Sequence, residues 1–282
     1  MRQGTQIDRP IFIVGPGRSG TTLLLKLLAG HGDLAWFSGY TDRFPSFPQL
    51  AFLSRMDSFP FASQQIRLSK GWPKPAEANR IWDWCFPHFL WPSHDLGERE
   101  CTAEGAAKLR SLVATHLAWQ GRRRFLTKYT GYPRFGLIRR VFPDALFVYI
   151  DRDPRAVVVS WMKQRWMFKK RPDEFQQIPV VDKLRMYSDR YLAIYEAKRK
   201  YREGADYHQI YYENLIRNPL QSFQELCTKT DLSWTRRIER RITSWHLDPR
   251  ANQAWPSKLT SNERECLSRI LREPVEEMSY NR

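Results

Sequence analysis

The chain of 282 residues carries 46 lysines and arginines against 30 aspartates and glutamates, a formal net charge of +16 at pH 7. That length supports one large domain around a two- or three-layered core, and that charge predicts acidic partners: a polyanionic cofactor, a phosphorylated or sulfated substrate, nucleic acid or anionic lipid. The composition argues against a disulfide scaffold, a zinc site or a membrane span. The cysteines (Cys85, Cys101, Cys227, Cys266) are far apart and read as reduced thiols, and the apolar runs are too short to cross a bilayer or to form a signal peptide.

The first element is the most informative. Ile11 to Val14 is a continuous β-branched and aromatic run, which suits a strand buried on both faces. Gly15-Pro-Gly-Arg-Ser-Gly20 is a breaker-rich turn, and Thr21 to Leu28 reads as a helix buried almost all round. Strand, glycine turn and helix N-terminus together make an anion site, because the first helical N–H groups have no intrahelical partner. The segment nearly fits the nucleotide-binding pattern G-x-x-x-x-G-K-[ST], but Thr21 stands in place of the lysine and Arg18 is the nearest fixed cation. The bland alternative is a βα turn whose glycines only allow close packing.

Beyond this helix, Phe37 to Pro48 reads as an irregular loop crossing the face of the anion site. Asp42 lies in it, either as a general base or as a loop cap beside Arg43. Leu50 to Met56 is a short predicted helix. Gly71 to Pro92 is rich in tryptophan and proline and suits either an aromatic acceptor pocket or core packing, with His88 and His94 as reserve bases. A helix is predicted over Ala103–Gln120, with Leu109, Leu112, Val113, His116 and Leu117 on one face, followed by a strand over 125–128 that ends at Lys128.

After a helix over 135–142, Ala145 to Ile150 is a second buried strand. It runs into Asp151-Arg-Asp-Pro-Arg155, where Asp153 is a natural N-cap and Pro154 a natural first helical residue. This is a second strand-to-helix anion site, with Arg152 at the strand end and Ser160 two turns along. Met162 to Pro179 is basic and irregular, a lid or a solvated run including Trp166 and Lys169–Arg171. A long helix over 181–201, a strand over 208–212, a helix from Pro219, and tail helices near 234–245 and 261–271 complete the chain.

The residues Arg18, Ser19, Gly20, Thr21 and Thr22, as GRSGTT, resemble the phosphosulfate loop of sulfotransferases, which use 3′-phosphoadenosine 5′-phosphosulfate (PAPS). Arginine at the Arg18 position resembles the tyrosylprotein, carbohydrate and bacterial branches. The R-D-P-R run followed by Ser160 resembles the family's 3′-phosphate motif, and Tyr211-Tyr-Glu-Asn-Leu resembles the segment whose tyrosine, here Tyr212, contacts adenine. The departures are Asn214 for an aspartate, Gly32 in the family's H-P-D, and Ala254 where relatives carry a basic residue before a tryptophan. Arg250 or Lys258 stands in for that missing charge.

The resemblance implies a single three-layer α/β domain over 1–282 with a central, mostly parallel sheet, in which an insertion over about 36–100 shapes the acceptor site. It implies metal-independent sulfuryl transfer from PAPS to a hydroxyl or an amine, with PAP (3′-phosphoadenosine 5′-phosphate) released. The acceptor would be a small molecule, glycan, lipid-linked group or peptide, and no nucleic acid is expected. Arg18, Lys128 and Asp42 would be catalytic; Arg18, Ser19, Gly20, Thr21, Thr22, Arg152, Ser160 and Tyr212 would bind the cosubstrate. Golgi relatives carry a membrane anchor before this loop, whereas here a strand begins by Ile11, so a cytoplasmic enzyme is expected. Two readings from other classes stand beside this one: a kinase-like phosphotransferase using ATP, and a non-catalytic basic module for nucleic acid.

Overall fold

The computed structural model describes residues 6–58, 72–164, 172–201, 206–245, 247–248 and 252–280. Its centre is a five-stranded, all-parallel sheet built from β1 (Ile11–Val14), β2 (Leu34–Trp36), β3 (Arg124–Lys128), β4 (Leu146–Asp151) and β5 (Tyr207–Tyr211), in the order β2-β3-β1-β4-β5. β1 is central: Ile11 lies opposite Leu126 on one side and Leu146 on the other. The chain therefore leaves β1 toward one edge and later crosses to the other. In open α/β sheets that switch point, at the C-terminal strand ends, is where ligands bind.

The central strands β1 and β4 are apolar on both faces along nearly their whole length because both faces are covered. Phe12, Val14, Phe125, Phe147 and Tyr149 point into one core, with Trp82, Leu109, Leu112 and Ile138 from α3 (Asn79–Cys85), α4 (Ala103–Gln120) and α5 (Phe135–Val141). Ile11, Ile13, Leu126, Leu146, Val148 and Ile150 point into the other. There they meet α1 (Thr21–Leu28), α9 (Tyr212–Arg217), α10 (Pro219–Lys229) and α11 (Arg236–Thr243). A third cluster joins α6 (Pro154–Met162) and α8 (Val180–Arg199) to α12 (Ser261–Ile270), with α13 (Arg272–Tyr280) following.

The predicted elements over 11–14, 21–28 and 103–120 stand at those residues. The stretch expected as an irregular loop after the first helix contains more order. A single helical turn, α2 (Gly39–Arg43), closed by a Ser38–Thr41 capping box, stands in it, and just ahead of it β2 pairs with β3 at the sheet edge. The predicted helix over 50–56 is a 3₁₀ segment, Pro48–Ser58. The irregular stretch expected over 162–179 contains a short helix, α7 (Pro172–Gln177). Trp166, Lys169–Arg171 and Arg250 lie outside the described residues. Among the described residues no helix is long and apolar enough to cross a membrane.

Candidate functional site

The loop after β1 is shaped by left-handed backbone and a close approach to Tyr212. Gly20 has φ of +105°, and a Cβ there would meet the Tyr212 ring at 2.6 Å, so both the backbone and the close approach require glycine. Arg18 also sits in the left-handed region, at φ 70°, with its side chain exposed. Ser19 is fully buried, yet its hydroxyl has no partner among the described residues. A buried unpaired hydroxyl beside a helix N-terminus fits an oxyanion acceptor.

The second motif closes on the first from across the sheet. Arg18 Nε donates to Ser160 Oγ at 3.1 Å, and Arg152 Nη1 donates to the Arg18 carbonyl at 2.8 Å. The Arg152 guanidinium stacks over the Tyr212 ring, 4.5 Å from its centre. Trp161 Nε1 donates to the Gly17 carbonyl at 2.7 Å, which ties α6 to the loop. Arg155, by contrast, is locked in a two-point pair with Asp153, which caps α6 through the Arg155 N–H. Lys258, in the tail loop, has its ammonium pKa lowered by burial and by the neighbouring charges of Lys163 and Arg152.

The strand end that carries Arg152 is itself anchored. Lys198 on α8 pairs with Asp151 at 2.5 Å, with side chains only 2% and 4% exposed, and Gln209 donates to the same carboxylate at 2.6 Å.

On the other side of the loop lies a second constellation. Lys128, buried at the end of β3, reaches Thr21 Oγ1 at 3.4 Å and pairs with Glu77 at 2.9 Å. Thr130 Oγ1 donates to the same carboxylate at 2.9 Å. Burial lowers the Lys128 pKa, and Glu77 pushes it back up. Glu77 lines a cavity of about 350 Å³ walled by Phe89, Leu90, Trp91, Tyr187 and Ile194 and reaching Gly17 of the loop. A carboxylate, a lysine and the anion loop thus meet where the cavity opens on the loop.

A family model described as "Sulfotransferase family" matches residues 10–236. The chain belongs to the sulfotransferase family. Solved structures with the same fold include sulfotransferase STF9 from Mycobacterium avium, at TM-score 0.64 and 16% identity, covering 96% of this chain and 77% of that one. Sulfotransferase STF1 from Mycobacterium tuberculosis H37Rv follows at TM-score 0.57 and 16% identity, covering 94% and 77%. Mouse sulfotransferase SULT7A1, solved with PAP, has TM-score 0.50 and 10% identity, covering 98% and 91%. A search of curated protein sequences gives no match.

In this sulfotransferase the sequence candidates fall into two groups. Arg18, Ser19, Gly20, Thr21, Arg152, Ser160, Tyr212 and Lys128 gather around the loop, as the contacts above describe, and Thr22 is exposed in the first turn of α1. Asp42 does not line the cavity. Its carboxylate accepts the backbone N–H groups of Arg80, at 2.8 Å, and Ile81, at 3.4 Å, and so caps α3 in place of Ala78, which has no side chain for the task. Burial raises its pKa, and those two N–H bonds act against the rise. His88 and His94 are exposed, and neither lines the cavity; His94 bonds Ser93 Oγ instead. Among the tryptophans, Trp82 is core, stacked on Phe89 at 4.5 Å, and Trp91 forms the cavity rim.

Two residues of the site carried no signal in the sequence. Glu77 sits in a Pro-rich stretch with no recognisable spacing, and reaches Lys128 only because the Pro75 segment bridges to Ser38. Asn252, in the tail loop, accepts from Arg152 Nε at 2.7 Å and donates to Glu213.

Proposed function

We propose that this sulfotransferase takes the sulfuryl group of PAPS and transfers it to a hydroxyl of an acceptor, releasing PAP. The observation that carries the reading is the contact of 3.1 Å between Arg18 and Ser160. It joins a loop suited to a 5′-phosphosulfate to a motif suited to a 3′-phosphate, beside a cavity that holds a carboxylate. A kinase-like enzyme would need a lysine at Thr21, and a nucleic-acid module would need no such cavity.

The roles follow from position. The loop N–H groups, Ser19, Gly20, Thr21 and Thr22 bind the 5′ end, and Arg18 takes up charge on the leaving phosphate. Arg152, Ser160 and Lys258 bind the 3′-phosphate, and Tyr212 offers its ring to adenine. PAPS supplies an electrophilic sulfur on a phosphate leaving group. Glu77 receives the acceptor hydroxyl proton as the new O–S bond forms and the bond from sulfur to phosphate oxygen breaks. Lys128, between Glu77 and Thr21, neutralises charge on the sulfuryl oxygens. We assign Asp42 a different role from the base: it holds the segment that carries Glu77.

A thermal-shift series with PAP, ATP and an oligonucleotide tests the donor class. PAP should stabilise most. A larger shift with ATP, or with the oligonucleotide alone, would remove the reading. Transfer of labelled sulfate from PAPS to a mixed acceptor panel then tests the reaction.

A further inference from the structure

Two arginines that the proposed transfer does not use also line the cavity. Arg134 is 1% exposed, and its Nη1 donates to the carbonyls of Thr130, at 3.1 Å, and Tyr132, at 2.7 Å. Its Nε is buried and has no partner among the described residues. The guanidinium carbon sits 4.4 Å from the centre of the Phe89 ring and 5.4 Å from that of Tyr129. Arg190, on α8, lines the same cavity; its Nη1 donates weakly to the Pro92 carbonyl at 3.3 Å, and it lies over Tyr132.

Neither arginine has a carboxylate partner among the described residues. Glu77, which faces the same cavity, is taken by Lys128. Asp95 accepts the backbone N–H of Arg134 at 2.7 Å, not its guanidinium. The backbone of Arg134 is also held at φ 50°, a conformation non-glycine residues adopt at a cost. In direct contact the Arg134 guanidinium meets carbonyls and ring faces; Asp95 and Glu77 act on its charge without pairing with it, Arg190 adds a like charge, and burial drops its pKa to about 10. Such an arrangement serves stability badly and anion recognition well, because the planar fork matches a carboxylate.

We propose that the acceptor is an amphipathic phenol or alcohol that also bears a carboxylate, with the carboxylate held by Arg134 and Arg190, the apolar body against Phe89, Leu90, Tyr187 and Ile194, and the hydroxyl at Glu77. The assignment rests on the sulfotransfer reading for the hydroxyl end alone; the acid end stands on the two arginines.

The test uses hydroxy acids of graded length, from para-hydroxyphenylpropanoate to an ω-hydroxydodecanoate, each paired with its neutral primary amide. Binding is measured by calorimetry on the full chain without any donor, so the result does not depend on PAPS. At least one acid should bind about tenfold or more tighter than its amide, as a charge-assisted pair requires. Arg190→Gln should bring that ratio near one, and Arg190→Lys should keep part of it. Arg134→Gln should act likewise, and the half-buried Arg190 keeps the test if the Arg134 variant fails to fold. The affinity for PAP, measured separately, should be unchanged in Arg190→Gln, since that residue is outside the loop. The proposal is overturned if no acid in the series outbinds its amide, if Arg190→Gln leaves the preference intact, or if a matched phosphonate outbinds every carboxylate by more than tenfold. Loss of PAP binding by the native chain would sink the donor reading and leave the acid preference to be judged on its own.

Discussion

Glu77→Gln separates chemistry from structure in a way the geometry makes quantitative. Gln is nearly isosteric and can keep its one oxygen on Lys128, which pairs with Glu77 Oε2 at 2.9 Å, while its NH2 takes the place of the Oε1 that accepts from the Thr130 hydroxyl at 2.9 Å. It cannot accept the acceptor proton. Losing a general base costs about 10²–10⁴-fold in turnover, so kcat should fall by at least a hundredfold while PAP affinity stays within a few-fold. The variant also leaves Lys128, 2% exposed, with a neutral neighbour. Breaking a fully buried pair costs roughly 3–5 kcal/mol, but Glu77 is 33% exposed and water screens it, so about 1–2 kcal/mol is the fitting range. For a chain of this size that is a fall in Tm of roughly 2–6 °C.

The pH dependence of that loss has a definite sign. The folded-state pKa of Lys128 is lowered by burial and held up by Glu77. Without Glu77 it falls further, so the unfolded chain binds the proton more readily over a wider range below its ordinary value. Stability then rises with pH across that range. The deficit in Tm should therefore be largest at neutral pH and shrink on the alkaline side as Lys128 loses its proton. Labelled-sulfate transfer and a melting series from neutral to alkaline pH measure both effects. Turnover of Glu77→Gln near that of the native chain would refute the assignment, and a parallel Asp42→Asn variant, expected to keep turnover within a few-fold, shows where the role belongs instead.

Four further expectations bear on the frame around the site. Arg152→Ala should weaken PAP binding by roughly one to two orders of magnitude and adenosine 5′-phosphate binding much less, since hydrogen bonds between charged groups contribute about 1.5–3 kcal/mol each; equal losses in calorimetry would place Arg152 at the 5′ end or in the fold. Gly20→Ala should abolish PAP binding and lower Tm, because the Cβ meets the Tyr212 ring at 2.6 Å at a φ of +105°; unchanged binding would mean the loop adapts. Lys198→Met should destabilise by roughly 3–5 kcal/mol in denaturant unfolding, leaving Asp151 buried without its cation, and adding Asp151→Asn should recover part of the loss. His116 is buried between Leu112 and aromatic rings, and burial lowers its pKa from 6.5 to about 4. Its contribution is present above the unfolded value and is lost as pH falls from there toward about 4, so replacement by a neutral residue of similar shape should flatten the acid side of the Tm profile between those values.

Much of this molecule was legible before folding because its signals are local. A β-branched run, a glycine turn and a leucine-rich helix follow one another within Ile11–Leu28, and each is decided by neighbours a few residues away. The same holds at Asp153 and Pro154, where cap and first-turn proline adjoin. Both anion motifs could be read for that reason, as could the alternation that puts Phe12 and Val14 on one face and Ile11 and Ile13 on the other. Elements too short to show a period, such as the three residues of β2 and the single turn of α2, left no such trace.

What the tertiary structure alone decided is which side chains face one another. Arg18 and Ser160 are 142 residues apart and touch because β1 and β4 are neighbours in the sheet. Asp42 and Glu77 are both carboxylates in an irregular region, equally plausible by composition. The capping need of α3 claims the first, and the end of β3, with Lys128 and Thr130, claims the second. Arg134 stands in the turn before α5 and Arg190 lies on α8, and only the folded chain brings both to one cavity. Local propensity depends on residues adjacent in the chain, whereas these encounters depend on strand order, and strand order is a property of the whole sheet.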